Sequence, residues 1–496
     1  MNNQNVQLSD LTLEIISSKV KVPSYDRTRM KNYIVHIGVG HFVRAHLAMY
    51  LDQLLESDPN CDWGIWGIGL HAFPGETLEA LKSQDCLYTL TEKNSDSNFE
   101  SRVIGSIKEV ESGDVDGQSL IEIIGSSSTK IVSLTITEGG YGIDAVTGQF
   151  SGQKDELILA DMQDPQSSKS WLGILVEGIK VRISLDSGPL TLMTCDNIPH
   201  NGDVAKSSLK SFVKIVAPEI LGWVEKNMTF PNSMVDRVTP GTTEDDRVYI
   251  RETFGYSDAW PVACEPYALW VLEDNFASGR PAFENVGVKI VEDVLPYELM
   301  KLRIANGTHQ ALCYFGSLLG HTYVHEAIHD PDIRTLLVNY IDDEAVPTLA
   351  KIPGIDLNEW GQIVIERFGN PQIKDKLTRI CAETSDRIPK FVLPVVKDQL
   401  AAGRSAKICA AVLASWARYV LGTDENGQAL EVVDPKSTSI IKSAKLDVKN
   451  FGTFLDQSEI FGTLGQNSSF RRDYIEARQK IDSSGVRKFL LEMFNS

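Results

Sequence analysis

Lys301, Asn306 and His309 bring a potential base, an amide and an imidazole into one stretch, residues 297–312. The apolar residues around them, Leu299, Met300, Leu302, Ile304 and Leu312, do not sort onto one face. A helix that is apolar on nearly every side is a buried one. At ~100° per residue, the three polar side chains fall within an arc of roughly 140°. Burying them is costly unless they are paired or working. The stripe is therefore an active-site wall, or else a snorkelling lysine, a capping asparagine and a satisfied core histidine. Taken alone, the stretch leaves both readings open.

A second pattern is Ile37-Gly38-Val39-Gly40-His41-Phe42-Val43-Arg44. It follows an apolar run from Asn32 and precedes a helical pattern through Leu55, the strand–turn–helix context of a dinucleotide fingerprint. Gly38 permits the tight turn and Gly40 the close approach of a pyrophosphate, while the helix start supplies N–H groups and a positive dipole end. Val43 stands in place of the third glycine of G-x-G-x-x-G, which sets the helix farther from the strand. Arg44 is expected at a phosphate. A partial glycine pattern is weakly specific, so a strand–turn–helix without a ligand also stays open. NAD-binding units place an acid just after the second strand, to hold the ribose hydroxyls. Here residues 64–70 are followed by His71-Ala72-Phe73-Pro74, with no acid before Glu76 and no Arg or Lys before Lys82. The choice between NAD and NADP is open at this point.

A third pattern, His325-Glu326-Ala327-Ile328-His329, matches H-E-x-x-H, in which two histidines one turn apart bind zinc and the glutamate acts as base. His321 lies a further turn back. Against a zinc site, Pro331 ends the helix soon after His329, and Glu344 or Glu359 as third ligand has no distinctive context. A zinc hydrolase through His325, Glu326 and His329 is the alternative of a different class.

The elements that must position these groups follow from periodicity. Buried strands are expected at residues 32–37, 64–70, 130–136 and 190–195, and a strand pair at 86–91 and 102–110, joined by the polar loop 93–100. The strand at 130–136 runs into Thr137-Glu138-Gly139-Gly140-Tyr141, and the one at 190–195 delivers Asp196-Asn197 to a turn, where the pair could also cap the next helix. Glycine-rich loops and polar groups at strand ends are where open α/β sheets place ligands. Beyond residue 282 helical periodicity takes over. The expected division is 1–286 for an α/β, Rossmann-type dinucleotide-binding domain and 287–496 for a mostly α-helical substrate domain.

Bulk properties set limits. A chain of 496 residues with 42% hydrophobic content is long enough for more than one core. A net charge of −19 argues against nucleic acid as a partner. The seven cysteines are scattered with no C-x-x-C, which suggests reduced thiols. No signal peptide and no apolar run of membrane-spanning length is visible, so a cytoplasmic location and no membrane partner are expected.

Four pieces occur in a telling order: the glycine turn from Gly38 to His46, Cys195-Asp196-Asn197, Met234-Val235-Asp236-Arg237, and Lys301 to His309. Together they resemble the polyol-specific long-chain dehydrogenases, especially those acting on mannitol, from about residue 32 to the end. The K-x-x-x-x-N-x-x-H block is specific to that family; the glycine turn is not. The resemblance implies a zinc-independent oxidoreductase that moves hydride between a polyol and NAD or NADP, interconverting mannitol and fructose or a related pair. It implies an active site in the cleft between the two domains, no metal, a small-molecule polyol or ketose substrate, and a monomer. Carried over by position, Lys301 is the general base, and Asn197 and Asn306 hydrogen-bond the reacting oxygen. His309, Asp236 and Arg379 position substrate hydroxyls and tune the base. A lysine starts from a pKa near ~10.4, and burial disfavours its charged form, which makes it a workable base. Within the same wider family the alternative is a hexuronate oxidoreductase acting on fructuronate or tagaturonate, with Arg379 or Lys390 meeting the carboxylate.

Overall fold

The computed structural model describes residues 6–69, 75–112, 117–143, 149–152, 155–165 and 168–494. The segment His71–Pro74, which bears on the cofactor choice, lies outside the described residues. The chain divides into two compact units between Val294 and Leu295.

The first unit is built on six strands: β1 (Asn32–Ile37), β2 (Trp63–Gly69), β3 (Ile107–Ser112), β4 (Thr129–Leu134), β5 (Leu190–Thr194) and β6 (Met228–Thr229). Their spatial order is β3-β2-β1-β4-β5-β6, with every neighbouring pair parallel. That order reverses direction between β1 and β4, which is the dinucleotide-binding arrangement with its switch point there. Both faces of the sheet are covered. Ile34, Ile65 and Ile131 point into one core and Val35, Ile37, Ile68, Val132 and Leu134 into the other. Strands buried on both faces read as near-continuous apolar runs, which is why periodicity locates them. After β1 come α1 (His41–Ala45) and α2 (Leu47–Ser57), which pack in the first core; α3 (Trp171–Ser184) and α4 (Asn201–Val216) pack in the second.

The expected pairing of 86–91 with 102–110 needs correcting. Tyr88–Lys93 pairs antiparallel with Phe99–Ile104, and the chain then turns at Gly105-Ser106. Beyond that turn the chain forms β3, a separate parallel strand beside β2. One apolar run thus serves two sheets, and periodicity has no marker for the change of partner. A further sheet joins β7 (Ser233–Asp236), β8 (Leu269–Glu273) and β9 (Lys289–Val291), β7 antiparallel and β9 parallel to β8. The first unit therefore continues past residue 286.

The second unit is helical. It opens with α5 (Leu295–Met300), passes through a π-helical turn at Lys301–Asn306, and continues as α6 (Gly307–Leu318). Next come Val324–His329, α7 (Pro331–Asn339), a second π-helical turn at Tyr340–Ala345, α8 (Leu357–Phe368), α9 (Lys407–Tyr419) and α10 (Ser468–Ser484). The helix expected over 297–312 is thus interrupted by the π turn, and α6 ends before a turn at Gly320. Among the described residues no helix is long and apolar enough to cross a membrane.

Candidate active site

In the first unit the site begins where β1 ends. Ile37 and Val39 are buried, and Gly38 between them has φ +100°, a conformation only glycine adopts readily. A Cβ at Gly38 would lie 2.2 Å from the Thr135 carbonyl oxygen. The turn is tied to the neighbouring strand ends: the Gly38 N–H donates to Ile68 O at 2.8 Å and the Thr135 hydroxyl donates to Gly38 O at 2.7 Å. With its proton on Gly38, the Thr135 hydroxyl accepts from His36 Nε2 at 2.9 Å, and Ser133 Oγ lies 2.7 Å from His36 Nδ1. This describes a neutral imidazole, and burial lowers its pKa from 6.5 to about 3.

Gly40 is the N-cap of α1 and has no side chain with which to cover the first N–H groups. Those groups, at a switch point of the sheet, fit the pyrophosphate of a dinucleotide. His41 is half-buried with its pKa lowered to about 4, by burial first and Arg44 second. Phe42 stacks on His46, ring centroids 4.8 Å apart, and Val43 is buried.

Arg44 does not stand at the mouth of the turn. Its side chain is fully buried, donating from Nε to Gly40 O at 3.2 Å and from Nη1 to Trp260 O at 2.6 Å, with the guanidinium 5.3 Å from the Tyr88 ring centroid. It braces α1 from beneath. A sequence pattern gives spacing along a helix but not which way the arginine points.

Asp196 and Asn197, side by side in sequence, do different things. The buried Asp196 carboxylate accepts from the N–H groups of Ile136 and Thr137, both at 3.0 Å, and from the Tyr141 hydroxyl at 2.7 Å. Burial raises its pKa, against the lowering effect of those hydrogen bonds. It pins the loop after β4 to the end of β5, including Thr137, which is held at φ +63°. Strain of this kind in a non-glycine residue persists only where the surroundings over-determine it. Asn197 is left exposed beyond the clamp. The pair does not cap α4, whose N-cap is His200.

Asp236, at the end of β7, is buried. Its neighbour Arg237 pairs with Glu92 and donates to Glu265 O at 3.0 Å and to Ala45 O at 2.6 Å, tying β7 to the end of α1. Asn201 joins this strand to β5, donating to Ser233 O at 2.8 Å and Asp196 O at 3.1 Å. The end of β5, beside Asn197, is therefore held to the start of β7, three residues before Asp236. Sequence reasoning met Asp196 only as the partner of Asn197 and Tyr141 only as the end of a glycine-rich loop, and gave Asn201 no role.

In the second unit Lys301 is buried and opens the π turn, and Asn306 closes it. The N–H of Gly307 bonds to Leu302 O, the i→i+5 spacing that defines the turn, and also to Ile304 O. The wider turn changes the stripe. At roughly 80° per residue across Lys301–Asn306, the arc holding Lys301, Asn306 and His309 narrows from about 140° to about 60°. His309 lies flat against Phe368 of α8, centroids 3.7 Å apart and planes 7° off parallel, so one face of its ring is fixed by packing.

Arg379, in the short helix Leu377–Ile380, is exposed and gripped by Asp375 through Nε at 2.7 Å and Nη2 at 2.5 Å. The Glu326 carboxylate of the H-E-x-x-H pattern accepts from the N–H groups of Thr322 and Tyr323 at 2.8 and 3.0 Å, and His329 Nδ1 lies 2.6 Å from His325 O. Glu326 is a helix cap. Among the described residues no three or more His, Cys, Asp or Glu gather as a metal-binding group.

The parallel sheet thus offers a switch-point cradle, and the helical unit a buried lysine at the start of a π turn that Asn306 closes. Residues 32–285 match the mannitol dehydrogenase Rossmann domain and residues 293–482 the mannitol dehydrogenase C-terminal domain. Mannitol dehydrogenase 2 of Saccharomyces cerevisiae is 41% identical over 88% of this chain and 87% of its own. A mannitol 2-dehydrogenase of Aspergillus fumigatus is 39% identical over 96% of each. Among solved structures, the Pseudomonas fluorescens mannitol 2-dehydrogenase ternary complex with NAD and D-mannitol superposes with a TM-score of 0.88 at 38% identity, covering 99% of this chain and 100% of that one. A D-sorbitol dehydrogenase in substrate-free form gives 0.90 at 34% identity, over 98% and 100%. The chain belongs to the mannitol dehydrogenase family.

Proposed function

We propose that this chain, an NAD-dependent polyol dehydrogenase, interconverts D-mannitol and D-fructose. The observation that carries the reading is similarity along both domains to a protein solved with NAD and D-mannitol, 38% identical over 99% of this chain. Bound NAD supplies the hydride acceptor. The turn at Gly38–Gly40 and the N–H groups of α1 receive its pyrophosphate. Lys301, as the neutral amine, accepts the proton of the substrate hydroxyl. The side-chain amides of Asn306 and Asn197 donate to the oxygen as it gains alkoxide character. Because amides are uncharged, they bring no ion-pair partner that would hold Lys301 as ammonium. His309, Asp236 and Arg379 orient the remaining hydroxyls. Proton removal by an amine requires no metal, so the reading is zinc-independent.

The D-sorbitol dehydrogenase similarity favours D-sorbitol as the second substrate to test. None of these relatives is a hexuronate oxidoreductase, so that alternative is not favoured. The test is a 340 nm screen of D-mannitol, D-sorbitol, D-fructose and D-fructuronate with NAD(H) and NADP(H). D-mannitol oxidation with NAD, unaffected by chelators, is the expected result. A preference for fructuronate, or activity that tracks bound zinc, would overturn it. A monomeric, cytoplasmic enzyme completes the proposal, checked by light scattering and by cell fractionation.

A further inference from the structure

The π turn has a holder. In an α-helix the Gly307 N–H would bond to Arg303 O; here it bonds to Leu302 O and Ile304 O and passes Arg303 O by. The Tyr340 hydroxyl donates to that carbonyl at 2.8 Å. Tyr340 is completely buried, and burial, then Cys409 and Glu344, hold its hydroxyl protonated well above the ordinary range, so it remains a donor.

Gly307 makes room for it. Its backbone is ordinary helix, φ −62°, yet a Cβ there would lie 2.1 Å from the Tyr340 hydroxyl oxygen. The glycine answers to the tyrosine, not to a turn. Tyr340 in turn opens the second π turn, which is anchored from the far side. The Glu344 carboxylate accepts from the Ile408 and Cys409 N–H groups at 2.7 and 2.8 Å, and Gln399 donates to Glu344 O at 2.6 Å. The Arg303 side chain donates to Thr348 O at 2.8 Å, just beyond the second π turn, and to Asp398 at 2.6 Å. Tyr340 thus ties the two π turns together.

We propose that Tyr340 is a positioning residue: by taking the Arg303 carbonyl it holds the π register that brings Lys301 and Asn306 onto one face, with Gly307 as the matching clearance. The inference rests on the reading of Lys301 as base. Removing the hydroxyl lets the turn relax toward α spacing, which swings Asn306 away from Lys301 by roughly 100° of helix rotation. Binding of NADH, assigned to the other unit, is untouched.

The experiment compares Tyr340→Phe, Gly307→Ala, the double variant and Lys301→Met in the full chain, on the polyol giving the highest rate with NAD. In Tyr340→Phe, kcat is expected to fall about ten- to a hundredfold. KM should change less, the pH midpoint of kcat should move, and NADH affinity and thermal unfolding should stay near wild type. Gly307→Ala should be worse alone than in the Tyr340→Phe background, because the phenyl ring lacks the oxygen that the Cβ would strike. A folded Tyr340→Phe with wild-type kcat and pH midpoint would overturn the inference while leaving the base reading intact. So would a loss of kcat matched by lost NADH binding and lower thermal stability, which would make Tyr340 merely structural. Wild-type turnover in Lys301→Met would remove the base reading and this inference with it.

Discussion

Both units place a glycine against a foreign oxygen, and they do so in different ways. Gly38 sits at φ +100° in a turn, its missing Cβ 2.2 Å from Thr135 O. Gly307 sits at φ −62° inside a continuous helix, its missing Cβ 2.1 Å from the Tyr340 hydroxyl. The first glycine is demanded by its own backbone as well as by its neighbour. The second is demanded only by a side chain distant in sequence. One position opens the cradle proposed for NAD; the other holds open the turn that carries Lys301 and Asn306. Lesions at the two glycines should therefore separate cofactor binding from turnover.

Of the two glycines, the larger effect is expected at Gly38. Gly38→Ala is both strained and clashing with backbone, which has little freedom to yield. Titration of protein fluorescence with NADH should show affinity reduced by about a hundredfold or more. Retained affinity would break the assignment of this turn to the cofactor.

Gly307→Ala comes next. Steady-state assays should show kcat reduced by about tenfold or more with NADH affinity unchanged, the reverse of the Gly38 pattern. A loss of NADH affinity here as large as that in Gly38→Ala would erase the distinction between the units.

The smallest effect concerns His36, beneath the first turn. Its folded pKa of about 3 lies below the unfolded value near ~6.5, so its contribution to stability is intact above about pH 6.5 and is lost as pH falls toward 3. Between pH 7 and 5 it should cost about 2 kcal/mol of unfolding free energy, measured by urea titration. His36→Gln should flatten that slope. An unchanged slope would show that another group carries the acid sensitivity of the first unit.

The two regions also differ in how much of them could be read from sequence. The strands around the first turn were legible because a parallel sheet covered on both faces leaves near-continuous apolar runs, as at Ile34–Ile37 and Ile131–Leu134, interrupted only by His36 and Ser133. The glycine turn was legible because its demand is local. Arg44, expected at a phosphate, instead lies fully buried beneath α1, since spacing does not give side-chain direction. The strand at 102–110 divides between two sheets for a reason no periodicity carries.

On the helical side, residue types alone gave the Lys301–Asn306–His309 stripe, but not its geometry. The π turn depends on Tyr340 and Gly307 together; a glycine within a helix is unfavourable, but its position does not say which distant partner needs the room. Asp196 reads beside Asn197 as one polar pair; its role as a clamp depends on Ile136 and Thr137, supplied by a different strand end. Local demands were readable in both units, and demands set by a distant partner were readable in neither.

The most direct test of the account is Lys301→Ala, assayed for D-mannitol oxidation with NAD and for NADH binding in the same preparation. Turnover should fall by several orders of magnitude while NADH affinity stays within about twofold of wild type. Near-wild-type oxidation by that variant would contradict the account.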